Sequence, residues 1–254
     1  VEMDVTDPAL ERVFAESRPE LVNHHAPQVN LRRSMEEPLY DTEVNYFGTL
    51  TVLECCRRHP VRQVLFASSG GAIYGDGVIV PTPEGALARP MSVYGTNKLC
   101  GEGLIRAYAE ELGFTATFLR YANVYGPRQN PHGEAGVIAI FLDKLRSGGT
   151  PTINGTGEKV RDYVFVGDLV AVNRFLTEKG LGGTYNVGTG VGTSVNDLAR
   201  DLLAALGMTV EIPHGPDKPG EQAVSVLDAS RIREAMGGRA FTPLAEGLAR
   251  TIRA

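Results

Sequence analysis

Val64-Leu65-Phe66-Ala67 is an unbroken apolar run closed by Ser68-Ser69-Gly70-Gly71. A short apolar run that ends in turn-formers matches a strand buried on both faces, as in parallel sheets. Downstream, a helical pattern covers Ser92 to Leu112 and a second strand covers Thr115 to Leu119. Upstream, a strand runs from Glu20 to His24, a polar loop follows, and helical spacing from about Leu39 to Arg58 carries Val44, Phe47, Leu50, Val52 and Leu53. At the start, Val1 to Val5 is a β-like run, and Thr6-Asp7-Pro8 sets a cap and a first-position proline before the helical positions Leu10, Val13 and Phe14. Strands alternating with helices of ten or more residues imply βαβ units on a parallel sheet.

From about Gly126 the elements shorten and Gly, Pro and Asn become frequent. The spacing predicts helices near 137–146, 169–177 and 195–206, a strand near 163–166, and a C-terminal amphipathic stripe of Leu244, Leu248 and Ile252. Ser194 has the chemistry of a helix N-cap. The expected fold class is α/β, a doubly wound parallel sheet with a smaller mixed α/β domain behind it. The first domain is expected over 1–125 and the second mainly over 126–254, with about 162–190 returning to the first.

The 254 residues are 43% apolar and 22% charged, enough for an unaided core. The longest apolar stretch, Ala135 to Leu142, is far short of the roughly 20 residues that span a bilayer, and the N-terminus has no signal-peptide core, so no membrane partner is expected. A net charge of −5 without any Lys/Arg run disfavours nucleic acid. Cys55, Cys56 and Cys100 form neither a disulfide framework nor a metal spacing, which points to reduced thiols and a cytoplasmic location. The five histidines, at 24, 25, 59, 132 and 214, lack the spacing of a zinc site.

Chemistry concentrates in Ser68 to Gly75 and in Tyr94-Gly95-Thr96-Asn97-Lys98. Positions i and i+4 share a helix face, so Tyr94 and Lys98 present a phenol beside an ammonium. A nearby cation favours the phenolate, which makes a base for a substrate alcohol. Hydroxyls at the end of the preceding strand, Ser68 and Ser69, lie where α/β sheets place ligands.

This ordered series, continued by Leu119-Arg120-Tyr121-Ala122-Asn123-Val124-Tyr125-Gly126-Pro127-Arg128, resembles the extended short-chain dehydrogenase/reductase superfamily and its NAD-dependent, UDP-glucose 4-epimerase-like branch. The resemblance implies a Rossmann-like NAD-binding domain, a UDP-sugar substrate and a homodimer through the helices near 39–58 and 92–112. It implies catalytic roles for Tyr94 and Lys98, with Ser69 or Ser68 as the hydroxyl, because the family's Ser/Thr position is Gly70 here. It places Asp4 and Val5 at the adenine, His25, Ala26 and Pro27 along the pyrophosphate and ribose, and Asn45 near the active site. Tyr121 is carried over as cofactor-facing, with simple packing an equal alternative.

On the substrate side the resemblance implies Asn123 at the sugar, Arg161 of Gly155-Thr156-Gly157-Glu158-Lys159-Val160-Arg161-Asp162 at the diphosphate, and Val191, Lys218 and Glu221 in the nucleotide-side loops. Lys218 stands where the family has arginine and Glu221 where it has aspartate, which removes bidentate geometry. The family's opening strand, its glycine-rich turn and its first crossover helix do not precede Val1, and the expectation is an N-terminally truncated chain. Gly188-Thr189-Gly190-Val191-Gly192 could mimic a dinucleotide turn, but its third glycine is displaced. Two rivals remain. One is a dehydratase or decarboxylase on the same scaffold, for which Gly71 and Ala72 supply no acid pair. The other is a non-catalytic UDP-sugar binder.

Overall fold

The computed structural model describes residues 1–132, 136–217 and 222–254. In chain order the first elements are α1 (Leu10–Ser17), β1 (Leu21–His24), α2 (Leu31–Glu36), α3 (Pro38–Thr42), a π-helical turn (Glu43–Phe47) and α4 (Gly48–Arg58). Next come β2 (Gln63–Ser69), α5 (Gly70–Ile73), α6 (Val93–Leu112), β3 (Thr115–Tyr121), β4 (Asn123–Tyr125), α7 (Val137–Arg146), β5 (Ile153–Asn154) and β6 (Val160–Phe165). The chain ends with α8 (Val166–Lys179), β7 (Gly183–Val187), β8 (Gly192–Ser194), α9 (Val195–Leu206), β9 (His214–Gly215), β10 (Val224–Ser225), α10 (Ser230–Ala235) and α11 (Leu244–Arg253).

Two compact units divide the chain. One holds Val1–Tyr74, Ala88–Arg120 and Asn173–Tyr185; the other holds Gly75–Leu87, Tyr121–Val172 and Asn186–Ala254. The main sheet runs β1-β2-β3-β7, with β1 and β2 parallel in the register Leu21↔Gln63 to His24↔Phe66. Six of the seven β2 residues are buried, as an apolar run in a two-faced sheet requires. Helices α1, α4 and α6 contribute Phe14, Val52, Leu53 and Ile105 to a core shared with Val64, Phe66 and Phe118.

The second unit carries a mixed sheet, β10-β6-β4, in which β4 and β10 run parallel to β6 and β8 runs antiparallel to it. Its core joins Ile138, Phe141 and Leu142 of α7 to Leu198 and Leu202 of α9 and Leu248 of α11. Ser194 caps α9 through Asp197 N, and Gly207 closes that helix in the left-handed region.

Some local expectations are corrected. Val1 to Val5 is not assigned as a strand, because no neighbouring strand among the described residues pairs with it. Helix α1 starts after Ala9 rather than at Pro8, with Asp7 Oδ1 accepting from Ala9 N (2.8 Å). The expected polar loop after β1 contains α2, whose Asn30 cap accepts from Arg33 N at 2.6 Å.

The returning segment is shorter than 162–190. Strand β6 is tied to β4, β8 and β10, and Asp168 accepts from Thr242 N (2.8 Å), so the chain up to Val172 stays in the second unit. Asn173–Tyr185 belongs to the first unit, where Thr117 Oγ1 donates to Leu181 O at 2.8 Å. Gly75–Leu87 belongs to the second unit because Thr82 exchanges backbone bonds with Val226 and Asp228.

Candidate active site

Helix α6 begins where the Ser92 side chain accepts from Gly95 N (3.1 Å), and two glycines let it lie close to β2 and α5. A Cβ on Gly101 would stand 2.9 Å from the Phe66 ring, and one on Gly95 would strike the Ala72 carbonyl oxygen. This approach turns Tyr94 and Lys98, one helical turn apart, onto the C-terminal end of β2. Lys98 Nζ donates to Ala67 O at 2.9 Å, stands 4.7 Å from the Phe66 ring centroid and 5.8 Å from that of Tyr94. The Ser69 side chain acts on the Tyr94 phenol and favours its ionised form.

Alternation along β2 sends its two terminal serines to opposite sides. Ser69 faces Tyr94, whereas Ser68 Oγ donates to Glu102 Oε1 at 2.7 Å. Glu102 also receives both prongs of the Arg120 guanidinium (2.9 and 2.8 Å), and Arg120 donates to Tyr74 Oη at 2.9 Å. Ser68 therefore belongs to a buried ion-pair network beneath the site, and Ser69 is the hydroxyl beside the Tyr–Lys pair.

A second buried polar network lies around α3 and the π-turn. Asp41 has no exposed surface and accepts from Gln28 Nε2 (2.7 Å), Asn45 Nδ2 (3.0 Å) and Asn97 Nδ2 (2.8 Å). Asn45 Nδ2 also donates to Gln28 O (2.9 Å), which leaves Asn45 Oδ1 a buried acceptor with no hydrogen-bond partner. Thr49 Oγ1 gives its one proton to Asn45 O (2.7 Å) and so accepts from His24 Nε2 at 3.0 Å, which fixes His24 as the neutral Nε2–H tautomer.

Burial pushes the Tyr94 phenol up to about 12, a rise opposed by the Ser69 side chain and reinforced by the charge of Asp41. Burial draws the Lys98 ammonium down to about 7, against the attraction of Asp41. His24 falls to about 3 by burial and by the neighbouring Lys98, so it stays uncharged beside that cation. The arrangement is a phenol and an ammonium buried together, where an added positive charge would favour the phenolate.

Asp4 Oδ1 accepts from Thr6 N and Thr6 Oγ1 (2.9 and 2.7 Å), and the Val5 side chain covers Gly48 at the start of α4. His25 and Ala26 are exposed just past β1, followed by a half-buried Pro27. In the second unit, Tyr121 is buried, Asn123 is exposed, Val191 is 63% exposed, and Arg161 lies on β6 opposite Thr193, with Nη1 donating to Val160 O at 2.8 Å. Asp162 pairs locally: it accepts from Thr189 N (2.8 Å), Thr189 Oγ1 (2.6 Å) and Gly190 N (3.1 Å), which pins the Gly188–Gly190 loop. Lys218 and Glu221 lie outside the described residues. Among the described residues no group of His, Cys, Asp and Glu could hold a metal ion, and no helix is long and apolar enough to cross a membrane.

Sequence reasoning missed Asp41, Gln28 and Asn97. The signal was present in Asp41-x-x-x-Asn45, a pair at helical spacing, and in Asn97, the neighbour of Lys98.

A parallel sheet with a Ser–Tyr–Lys set at the end of one strand defines the class: Rossmann-like proteins of the short-chain dehydrogenase/reductase type. Within that class the chain belongs to the NAD dependent epimerase/dehydratase family, whose profile matches residues 1–188. It is 41% identical over 253 residues to a UDP-glucose 4-epimerase of Mycolicibacterium smegmatis, covering 99% of this chain and 81% of that relative. The crystal structure of a Thermotoga maritima UDP-glucose 4-epimerase with UDP-glucose superposes with a TM-score of 0.96 at 42% identity, over 100% of this chain and 82% of that one. A Thermus thermophilus UDP-glucose 4-epimerase in complex with NAD gives a TM-score of 0.91 at 38% identity, over 99% and 82%.

Proposed function

We propose that the protein is an NAD-dependent nucleotide-sugar 4-epimerase that interconverts UDP-glucose and UDP-galactose. The observation that carries this reading is the meeting of Tyr94, Ser69 and Lys98 in one buried site, in a chain about two-fifths identical to UDP-glucose 4-epimerases over nearly its whole length.

The residues fit the nicotinamide-ribose end of NAD. An ammonium has three N–H donors, and Lys98 directs one at Ala67 O; Asn45 Oδ1 adds a buried acceptor without a partner. Ammonium donors and an unfilled buried acceptor suit a diol, whose hydroxyls do both. Asp4, Val5, His25, Ala26, Pro27 and Tyr121 are assigned to the rest of the dinucleotide. NAD held by these residues would supply the acceptor and donor of the C4 hydride and a positive charge that favours the phenolate. Tyr94 removes the O4 proton and gives it back, Ser69 holds O4 and the phenol in line, and the Lys98 ammonium stabilises the phenolate. Arg161 is assigned to the diphosphate, with Asn123 and Val191 on the sugar and base sides. The first unit is then the NAD-binding part and the second mainly the substrate part.

A homodimer through α4 and α6 is part of this reading. It is supported by an outward α6 face with exposed Cys100 and open space at Gly103, and by exposed Leu39 and Phe47 beside α4. Free, buried Cys55 and Cys56 support a reducing, cytoplasmic setting. Gly71 and Ala72 of α5 put no acid beside the site, which disfavours a dehydratase. Incubation with UDP-galactose deuterated at C4 tests the reading. The product is expected to be UDP-glucose that keeps the label at C4, and wash-out of deuterium into water would overturn it.

A further inference from the structure

Resting on that reading, we infer that Asp41 is a positioning residue of the Tyr94–Lys98 site: it sets the orientation of the Asn45 and Asn97 carboxamides and supplies the buried negative charge that balances Lys98. A carboxylate with no exposed surface is expensive to keep unless its oxygens are met by donors. Its donors here are carboxamides from three different segments: Gln28 after β1, Asn45 of the π-turn and Asn97 of α6. No guanidinium or ammonium touches it among the described residues, so its charge remains available to act at a distance on Lys98.

Two consequences follow from the geometry. A carboxylate only accepts, so Asp41 compels Asn45 to present Nδ2, and Gln28 O takes the other proton of that amide. Asn45 Oδ1 is thereby left as a buried acceptor without a partner. The second consequence is electrostatic. The groups facing Lys98 are the Ala67 carbonyl and Phe66 ring of β2, neutral His24 and His25 at the end of β1, Tyr94 on its own helix, and Asp41. Asp41 is the one anion in that set, so it opposes the loss of the Lys98 proton that burial favours, at the cost of a small bias against the phenolate.

The test is an Asp41→Asn variant, which keeps size and polarity and removes the charge, beside Asp41→Glu, which keeps the charge. Lys98 is followed by NMR of protein labelled at lysine Cε, without substrate, its resonance being assigned by Lys98→Met. In Asp41→Asn the Lys98 resonance is expected to titrate at a pH lower by on the order of one unit. The alkaline limb of kcat for the NAD-loaded enzyme should move the same way, and Asp41→Glu should restore both. An unmoved Lys98 titration in a folded Asp41→Asn protein, with activity lowered equally at all pH, would reduce Asp41 to a structural residue and overturn the inference. Failure of the wild-type protein to epimerise UDP-galactose would instead remove the functional reading on which it rests, whatever the titration shows.

Discussion

Ser68→Ala and Ser69→Ala remove the same hydroxyl from adjacent residues, and the structure predicts opposite phenotypes. Ser68 Oγ donates at 2.7 Å to Glu102, and both residues are almost fully buried. A hydrogen bond to a charged group contributes about 1.5–3 kcal/mol, and water cannot replace the lost donor at such a depth. At about 2–4 °C per kcal/mol for a chain of this size, Ser68→Ala should lower Tm by roughly 3–12 °C. Because Glu102 keeps both Arg120 bonds, the site above should hold its shape and kcat should stay within about threefold of wild type. Ser69 is half-buried and acts on the Tyr94 phenol, so Ser69→Ala should change stability by under about 1 kcal/mol. Its kcat should fall by about 100-fold or more, the range of positioned proton-transfer groups. Calorimetry and a coupled assay of UDP-glucose formed from UDP-galactose separate the two effects. A Ser68→Ala protein that is stable but inactive, beside an active Ser69→Ala protein, would refute the assignment of strand faces.

Glu102→Gln leaves the Arg120 guanidinium buried without its counter-charge and should cost about 3–5 kcal/mol in denaturant unfolding; a loss below 1 kcal/mol would contradict the burial of that pair. Gly95→Ala gains helix propensity of about 1 kcal/mol, yet its Cβ meets the Ala72 carbonyl, so the net effect should be destabilising by about 1–3 kcal/mol with loss of activity as Tyr94 shifts. His24 has its folded pKa lowered from 6.5 to about 3, so the unfolded chain binds more protons between those values. Its contribution to stability is complete above about pH 6.5 and declines toward pH 3, at about 1.4 kcal/mol per pH unit. His24→Asn should flatten that part of the stability curve, measured by urea unfolding between pH 4 and 7.

Much of the sheet was legible because a two-faced strand leaves an apolar run, as in Val64 to Ala67, and because helical spacing survives over the twenty residues of α6. The Tyr94–Lys98 pair was legible for the same reason, since one helix carries both. Short polar helices were not: α2 buries only Ser34, so its apolar spacing carries no signal, and the Asn30 cap alone marks it. The choice between Ser68 and Ser69 depends on strand register, which flips with a shift of one residue. Asp41 was overlooked because a buried carboxylate looks in sequence like any surface acid; its meaning comes from Gln28 and Asn97, thirteen and fifty-six residues away. The extent of each unit depended on Thr82 and Asp168, whose partners are distant in sequence.

Movement of the O4 proton by the Tyr94 phenol underlies the proposed epimerisation. Tyr94→Phe in the NAD-loaded enzyme tests it directly, since it removes one oxygen and leaves the buried ring in place. Its kcat for UDP-galactose epimerisation should be lower by about 100-fold or more, with NAD still bound. A Tyr94→Phe enzyme that turns over at the wild-type rate would contradict it.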